Sequence, residues 1–206
     1  MSAIIKSLAG TSSNLCVEYR EILSPNSNGR CWLGQRVKPT LIVIHTAECA
    51  EVASAADSLA KWDAGASRPR ASWHFAVADA DITCSVDPGL CAWHAGTVNG
   101  YSIGIEHAGR AAQTAEQWAD EYSRNELELS AKLVAVLCEI YQIPPAKLIP
   151  HDIAWEHHAG RQPRGICGHD DITRSLGGTH TDPGLAFPWQ SYIDRIRSIA
   201  TGAPDK

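Results

Sequence analysis

Apolar residues along the chain recur with the spacings of strands and of helices. Residues 40–45 form a continuous, largely β-branched run, which is typical of a central strand buried on both faces. Residues 71–77, 82–86 and 101–106 predict three more strands, and a tight turn at residues 79–81 joins the first two. The pattern therefore predicts a sheet organised around one fully buried strand.

Longer segments with helical spacing separate these strands. Residues 54–62 predict a short helix, residues 114–141 a long amphipathic helix interrupted near residues 123–125, and residues 187–199 a closing helix. Residues 148–152 predict a short edge strand. Because strands and helices alternate without regular βαβ repetition, we expect an α/β fold: a single domain with a central mixed β-sheet flanked by helices.

The length of the chain, 206 residues, suits one domain with one core. Residues 1–37 show little periodicity, and we expect an N-terminal arm packed on the domain. Residues 38–200 carry the predicted strands, helices and candidate chemistry, and residues 201–206 form a C-terminal tail. The sequence shows no internal repeat.

Charge and hydropathy exclude several classes of partner. The chain has 18 Lys and Arg against 23 Asp and Glu, a net charge of −5, so we expect no nucleic-acid binding. No run approaches the roughly 18 apolar residues of a membrane span. The N-terminus has no basic segment ahead of an apolar one, and we therefore predict no signal peptide and no membrane partner.

Seven cysteines are present, and none of them form a Cys-x-x-Cys pair. A zinc ribbon is therefore not expected, and buried reduced thiols are the simplest interpretation. In an oxidising compartment Cys84 could pair with Cys91, or Cys16 with Cys31. The sequence alone does not distinguish these states.

Residues 167–184 combine two histidines and three aspartates with several glycines, and we expect a loop there rather than core. His169 and Asp182 are the candidate ligands in this segment, and His45 ends the predicted central strand, where open α/β sheets carry their sites. Two histidines and a carboxylate are a common ligand set for catalytic zinc. Glu106, at the end of another predicted strand, is the candidate general base.

Six short motifs between residues 40 and 196 carry a resemblance to a known family: Ile-Val-Ile-His45-Thr, Ser-Trp-His74-Phe, Ala-Trp-His94-Ala-Gly, Tyr-Ser-Ile-Gly-Ile-Glu106, Gly-His169-Asp-Asp-Ile and Thr-Asp182-Pro-Gly. In this order they resemble the zinc-dependent N-acetylmuramoyl-L-alanine amidases of type 2, which are relatives of peptidoglycan recognition proteins and of phage lysins. The resemblance implies that His45, His169 and Asp182 bind Zn²⁺ and that Glu106 is the catalytic carboxylate.

One position departs from the family pattern. The lysine that the family places two residues before its last ligand, and that is thought to stabilise the oxyanion, is His180 here. Because histidine ordinarily loses its charge near neutrality and lysine does not, we expect lower activity at alkaline pH than in lysine-bearing relatives. The segment between the last two ligands also differs from the usual family loop, which leaves its contact with substrate open.

The resemblance implies peptidoglycan as the substrate, cleaved between the lactyl group of N-acetylmuramic acid and L-alanine. We expect the enzyme to be a monomer. We expect His94 to contact substrate or orient a ligand, and Trp93 and Trp155 to stack on sugar or peptide. Solvated surface is the alternative for Trp155 and the histidines around it. His74 is expected to be satisfied by a neighbour, and His107 to point to the opposite face of its strand.

Three remaining residues of this region are expected to have roles away from the metal. Cys167 is expected to be a buried thiol, and Asp170 and Asp171 to cap their segment or support a ligand imidazole. The other tryptophans, by their spacing, are expected mostly in the core.

The biological setting that we predict is a phage endolysin, made in the host cytoplasm and acting on the cell wall after release. A cytoplasmic amidase that recycles muropeptides is the alternative. A non-catalytic peptidoglycan-binding module on the same fold, and a metallopeptidase that cuts within the stem peptide, are the rivals from other classes. The filled ligand and carboxylate positions favour an enzyme.

Overall fold

The computed structural model describes residues 4–10, 15–27, 30–31, 34–35, 37–65 and 70–202, with backbone only at residues 4, 5, 30, 31, 34 and 35. Its strands are β1 (Ile4–Ala9), β2 (Cys16–Glu21), β3 (Arg30–Cys31), β4 (Gly34–Gln35), β5 (Leu41–Thr46), β6 (Phe75–Val77), β7 (Ile82–Cys84), β8 (Ser102–His107) and β9 (Gly165–Gly168). Its helices are α1 (Ala55–Asp63), α2 (Glu121–Tyr141), α3 (Pro150–His158), α4 (His169–Leu176) and α5 (Trp189–Thr201), with a 3₁₀ helix at Gly96–Tyr101.

Seven strands form one sheet in the order β1-β2-β7-β6-β8-β5-β9. The pairs β6–β8, β8–β5 and β5–β9 are parallel, whereas β1–β2 and β6–β7 are antiparallel. The predicted α/β fold with a mixed sheet and flanking helices is therefore confirmed. Within the predicted N-terminal arm, β1 and β2 extend this sheet beyond β7.

Strand β5 lies between β8 and β9, and all six of its residues are buried, as its β-branched run predicts. In the parallel register His45 of β5 lies beside Glu106 of β8, and Ile44 lies beside Gly168 of β9. The carboxyl ends of these three strands therefore meet at one edge of the sheet. Sites of open α/β sheets lie at such an edge.

The sheet is covered on both faces by apolar packing. One face, which includes Ile44 and Ile105, packs with Leu133 and Leu137 of α2 and with α5. The other face of β5 packs against α3 and α4 through buried residues, among them Leu41, Val43, Ile153 and Ile172. Burial on both faces holds the ends of β5 and β8 in fixed positions.

Two secondary-structure predictions are wrong. The long helix begins at Glu121, not near residue 114, because the Asp120 side chain accepts a hydrogen bond from the Ser123 backbone N–H at 2.9 Å and caps the helix there; residues 123–125 continue it without a break. The edge strand predicted at residues 148–152 is instead the start of α3, since Pro150 occupies a first-turn position where its missing N–H costs nothing.

The prediction of a loop at residues 167–184 is also wrong for its first half. Cys167 lies in β9 and is fully buried, in agreement with the buried-thiol interpretation, and residues 169–176 form α4. The Asp171 carboxylate accepts a hydrogen bond from the Gly168 N–H at 2.8 Å, which starts the helix directly after the strand. Across the described ranges, no helix has the length and apolar character needed to span a membrane.

Neither of the two disulfide pairings that the sequence left open is present. Cys16 and Cys84 are free thiols, so neither the Cys84–Cys91 nor the Cys16–Cys31 bridge is present. Cys91 is disulfide-bonded, and the side chain of Cys31 lies outside the described ones.

His107 points away from the sheet edge into the packing against α2 and α5, as strand alternation predicts. Its Nδ1–H donates to the His45 carbonyl at 3.2 Å and its Nε2 accepts from the Ser130 hydroxyl at 2.7 Å, which in turn lies 2.6 Å from the Tyr192 hydroxyl. Burial disfavours the imidazolium and lowers the pKa of His107 to about 4.

This lowered pKa predicts a loss of stability in acid. The His107 imidazole takes up a proton near pH 6.5 in the unfolded chain but only near pH 4 in the folded chain. The free energy of unfolding is therefore highest above pH 6.5 and falls as the pH drops from 6.5 to 4. The stability difference between wild type and His107→Gln should shrink by about 2 kcal/mol between about pH 7.5 and about pH 5. Urea unfolding at the two pH values measures it, and equal pH slopes for both proteins would contradict the assignment.

Candidate active site

Four segments deliver the candidate residues to one end of the sheet. His45 and Glu106 come from the carboxyl ends of β5 and β8, and His169 is the first residue of α4. Asp182 lies on the segment after α4, where its backbone carbonyl accepts a hydrogen bond from the Asp170 N–H at 2.7 Å. That hydrogen bond ties the position of Asp182 to the start of α4.

Gly184 lets the same segment approach the rest of the domain. Its φ is +95°, and a Cβ there would overlap the carbonyl group of Ala111. The segment that carries Asp182 can therefore lie against residues near the end of β8 only with glycine at this position.

His45, His169 and Asp182 form a buried cluster whose candidate ligand atoms lie within 4.8 Å of one another. Oδ2 of Asp182 is 2.9 Å from Nδ1 of His45 and 3.5 Å from Nδ1 of His169. Two imidazole nitrogens and one carboxylate oxygen converging in this way fit a divalent metal with nitrogen and oxygen ligands. Among the described residues no other such group is present.

The charges in this cluster favour an ionised carboxylate. Burial raises the pKa of Asp182, but the side chains of His169 and His45 that face its carboxylate outweigh burial and hold the pKa well below its usual range. Burial acts in the opposite sense on His45 and lowers its pKa, which keeps the imidazole neutral. A neutral imidazole and an ionised carboxylate are the forms that bind metals.

Glu106 lies beside this cluster with a buried, unpaired oxygen. Its residue surface is half-buried, but Oε2 is inaccessible to solvent and has no hydrogen-bond partner among the described residues. Burial, and then the negative charges of Asp182, Glu48 and Asp63, raise the pKa of Glu106 well above its ordinary value. A cation held by the neighbouring ligands would offset part of that rise. A carboxyl group tuned in this way is suited to proton transfer.

His180 lies at the mouth of the site. Its ring stacks on His169 with centroids 3.7 Å apart, its Nδ1 is 3.5 Å from Oδ1 of Asp182, and more than half of its side chain is exposed. The ring is therefore held in orientation on one face while the other is open to a ligand.

A cavity of about 270 Å³ opens over the cluster. Its floor includes His45, Glu106, His169, His180 and Asp182, and one wall consists of the aromatic residues Trp62, Trp73 and Trp93. Trp62 is half exposed and stacks on Trp73, with centroids 6.2 Å apart and planes 7° from parallel. An adjoining cleft of about 510 Å³ shares Trp93, His94, His169 and His180 and continues past α4.

The structure does not bring every predicted residue to this cavity. Trp93 and His94 line it, but Trp155 lies on α3, 64% exposed, in a separate groove with Leu148 and Pro163. Trp62 was missed as a wall residue, since its helical spacing predicted core and the sequence carries no sign of its exposure.

The remaining polar residues have structural partners. His74, which directly precedes β6, accepts a hydrogen bond from the Gly104 N–H at 3.0 Å and donates to the Leu90 carbonyl at 3.2 Å, as expected for a histidine satisfied by its neighbours. Asp171 caps α4 and pairs with Lys147 at 2.5 Å, and Asp170 pairs with Arg174 at 2.8 Å. The expected capping role is therefore confirmed for Asp171.

Comparison with known proteins identifies the class. Residues 35–185 match the family model described as N-acetylmuramoyl-L-alanine amidase, so the chain belongs to that family. It is accordingly an enzyme, an amidase that hydrolyses peptidoglycan amide bonds. It is 29% identical over 161 residues to N-acetylmuramoyl-L-alanine amidase A of Achromobacter lyticus, and the match covers 75% of this chain and 81% of that protein.

Solved structures share the fold. A mutant endolysin from Bacillus subtilis superposes with a TM-score of 0.58 at 21% identity, covering 85% of this chain and 96% of the other. The hydrolase AmiA of Staphylococcus aureus, solved in complex with its ligand, superposes with a TM-score of 0.61 at 16% identity, covering 89% and 84%. At these identities the likeness shows the common fold.

Proposed function

We propose that the chain is a zinc-dependent amidase that cleaves between the lactyl group of N-acetylmuramic acid and the L-alanine of the stem peptide. The observation that carries the proposal is the buried His45–His169–Asp182 cluster with Glu106 beside it in the strand register. The candidate metal ligands and the candidate acid–base group thus line one cavity, which supports the proposal.

The ligand set favours zinc among the common divalent metals. Calcium and magnesium prefer sites made of oxygen atoms, whereas two imidazoles and one carboxylate suit zinc and leave a coordination position for a reactant. Bound there, zinc would act as a Lewis acid on the attacking water and on the scissile carbonyl group.

Glu106 is the proton carrier in this proposal. Its carboxylate takes a proton from the attacking water, and the water oxygen adds to the amide carbon to give a tetrahedral intermediate. Glu106 then returns the proton to the alanine nitrogen as the carbon–nitrogen bond breaks. The raised pKa suits both steps, because the group must accept the proton and then release it.

His180 donates to the oxyanion that develops on the carbonyl oxygen, from its position stacked on His169 at the mouth of the site. Replacing it with lysine keeps a donor whose charge persists at alkaline pH, since an ordinary lysine titrates near pH 10. We expect His180→Lys to retain more of its maximal kcat/KM between about pH 7.5 and about pH 9 than wild type. If the pH profiles of kcat/KM for wild type and His180→Lys coincide at alkaline pH, His180 does not have this role.

The aromatic wall and the adjoining cleft suit a substrate that extends on both sides of the scissile bond. Trp62 and Trp93 line the cavity, and tryptophan rings there could stack on the apolar face of a sugar ring. The cleft beyond His94 and His180 gives room for the other arm of the substrate.

Product analysis of purified sacculi tests the proposal. Zinc-loaded enzyme should release stem peptides with a free alanine amino group and leave glycan chains with free lactyl carboxylates. Shortened peptides with the lactyl amide intact would instead identify a peptidase. Binding without any product would identify a non-catalytic module.

The setting we propose is that of an endolysin. The shared fold with an endolysin from Bacillus subtilis supports it. An endolysin should clear a suspension of intact sacculi, whereas a recycling amidase should prefer soluble muropeptides, and relative kcat/KM on the two substrates separates them.

A further inference from the structure

His94 lines the cavity and also belongs to a chain of hydrogen-bonded polar groups. Its Nδ1 is 3.0 Å from Nε2 of His45, and its Nε2 is 3.1 Å from the Ser102 hydroxyl. The Ser102 hydroxyl in turn donates to the Val98 carbonyl at 2.9 Å. His94 therefore connects a candidate metal ligand to the 3₁₀ helix that precedes β8.

The hydrogen bond from Ser102 to Val98 determines the direction of the other two. Because Ser102 has one hydroxyl hydrogen and gives it to Val98, its oxygen accepts from Nε2–H of His94. Neutral His94 then has an unprotonated Nδ1, which accepts from Nε2–H of His45. In neutral His45 the lone pair is then on Nδ1, 2.9 Å from the Asp182 carboxylate, and a metal held between these two atoms would be bound by both.

Two backbone features hold the His94 ring in this position. The Asn99 side-chain oxygen accepts from the backbone N–H groups of His94 and Ala95, at 3.1 and 2.7 Å. The ring also lies directly against β8 at Gly104, where a Cβ would come within 2.6 Å of the ring. Any larger residue at position 104 would displace His94 from His45.

We propose that His94 and Ser102 are positioning residues that fix the tautomer of His45, so that its Nδ1 is always available to the metal. The inference rests on the proposed metal site. An imidazole free to rotate or to carry its proton on Nδ1 must reorganise before it binds, and such support of a ligand typically contributes about 10- to 100-fold in metal affinity.

Competition with a chelator for zinc, measured on the whole chain, tests whether the hydrogen bonds from Ser102 through His94 to His45 support zinc binding. His94→Leu, which removes both nitrogens, should raise the zinc dissociation constant about 10- to 100-fold, and Ser102→Ala should raise it in the same direction. His94→Asn, which keeps an acceptor near the position of Nδ1, should recover part of the loss. Ser85→Ala is the matched control, because the Ser85 hydroxyl is equally buried and has no hydrogen-bond partner among the described residues.

A nuclear magnetic resonance measurement separates positioning from packing. In zinc-loaded wild type the Nε2–H signals of His45 and His94 should be protected from exchange, and Ser102→Ala should expose the signal of His94. If zinc affinity is unchanged in His94→Leu and Ser102→Ala, or if Ser85→Ala loses as much zinc affinity as they do, the proposed positioning of His45 is wrong. Failure of wild type to bind zinc would instead overturn the proposed function.

Discussion

Glu106→Gln should lower kcat about 10²- to 10⁴-fold while zinc still binds with wild-type affinity. Glutamine has nearly the same shape as glutamate but cannot accept the proton of the attacking water. Oε2 of Glu106 is buried and unpaired among the described residues, so the substitution removes no hydrogen bond that this oxygen makes in the structure. Steady-state kinetics and a zinc titration on the same preparation measure both quantities.

Glu48→Gln is the control for this substitution. Glu48 lines the same cavity, but its carboxylate accepts from the Thr46 hydroxyl at 3.0 Å and from the Ala111 N–H at 2.7 Å, so it is engaged in structure. We expect a loss of less than about tenfold there. Loss of zinc from Glu106→Gln would show that Glu106 is a metal ligand. Equal losses of kcat in Glu106→Gln and Glu48→Gln would show that Glu106 is not the proton carrier.

Asp182→Asn should lower zinc affinity by more than about 100-fold and abolish turnover at ordinary zinc concentrations. The substitution removes the negative charge to which both histidines are directed, at 2.9 and 3.5 Å, and asparagine offers the metal only a neutral oxygen. Wild type should be stabilised by zinc, by about 2.7 kcal/mol at 100 times the dissociation constant, whereas the variant should not.

Thermal melts with and without zinc measure this difference. Asp170→Asn is the matched control, because Asp170 is adjacent to His169 but pairs with Arg174. It should keep the zinc-dependent rise in melting temperature. A zinc-dependent rise of wild-type size in Asp182→Asn would show that the cluster does not hold the metal through this carboxylate.

The sequence predicted the edge of the sheet correctly, because β5 is a short β-branched apolar run of the kind typical of a central strand. Its run of buried residues and the following His45 located one ligand at a strand end before any contact was known. Helix α3 was missed because Pro150 can end a strand or begin a helix, and local spacing does not separate these outcomes. Helix α4 was missed because its polar composition resembled a loop.

The sequence predicted only part of the candidate site. The motifs pointed to His45, His169, Asp182 and Glu106, which the fold brings together. The exposed stack of Trp62 on Trp73 depends on how α1 meets the residues before β6, which the sequence does not encode locally. The contact between the His94 ring and Gly104 likewise exists only once β8 is in place.

Hydrolysis in heavy-oxygen water is the most direct test of the central claim that this site cleaves the lactyl–alanine amide. Zinc-loaded enzyme acting on a muramyl peptide should place one heavy oxygen atom in the lactyl carboxylate and none in the peptide, as mass spectrometry of the two products will show. Heavy oxygen in a peptide carboxylate, with the lactyl amide intact, would contradict the account.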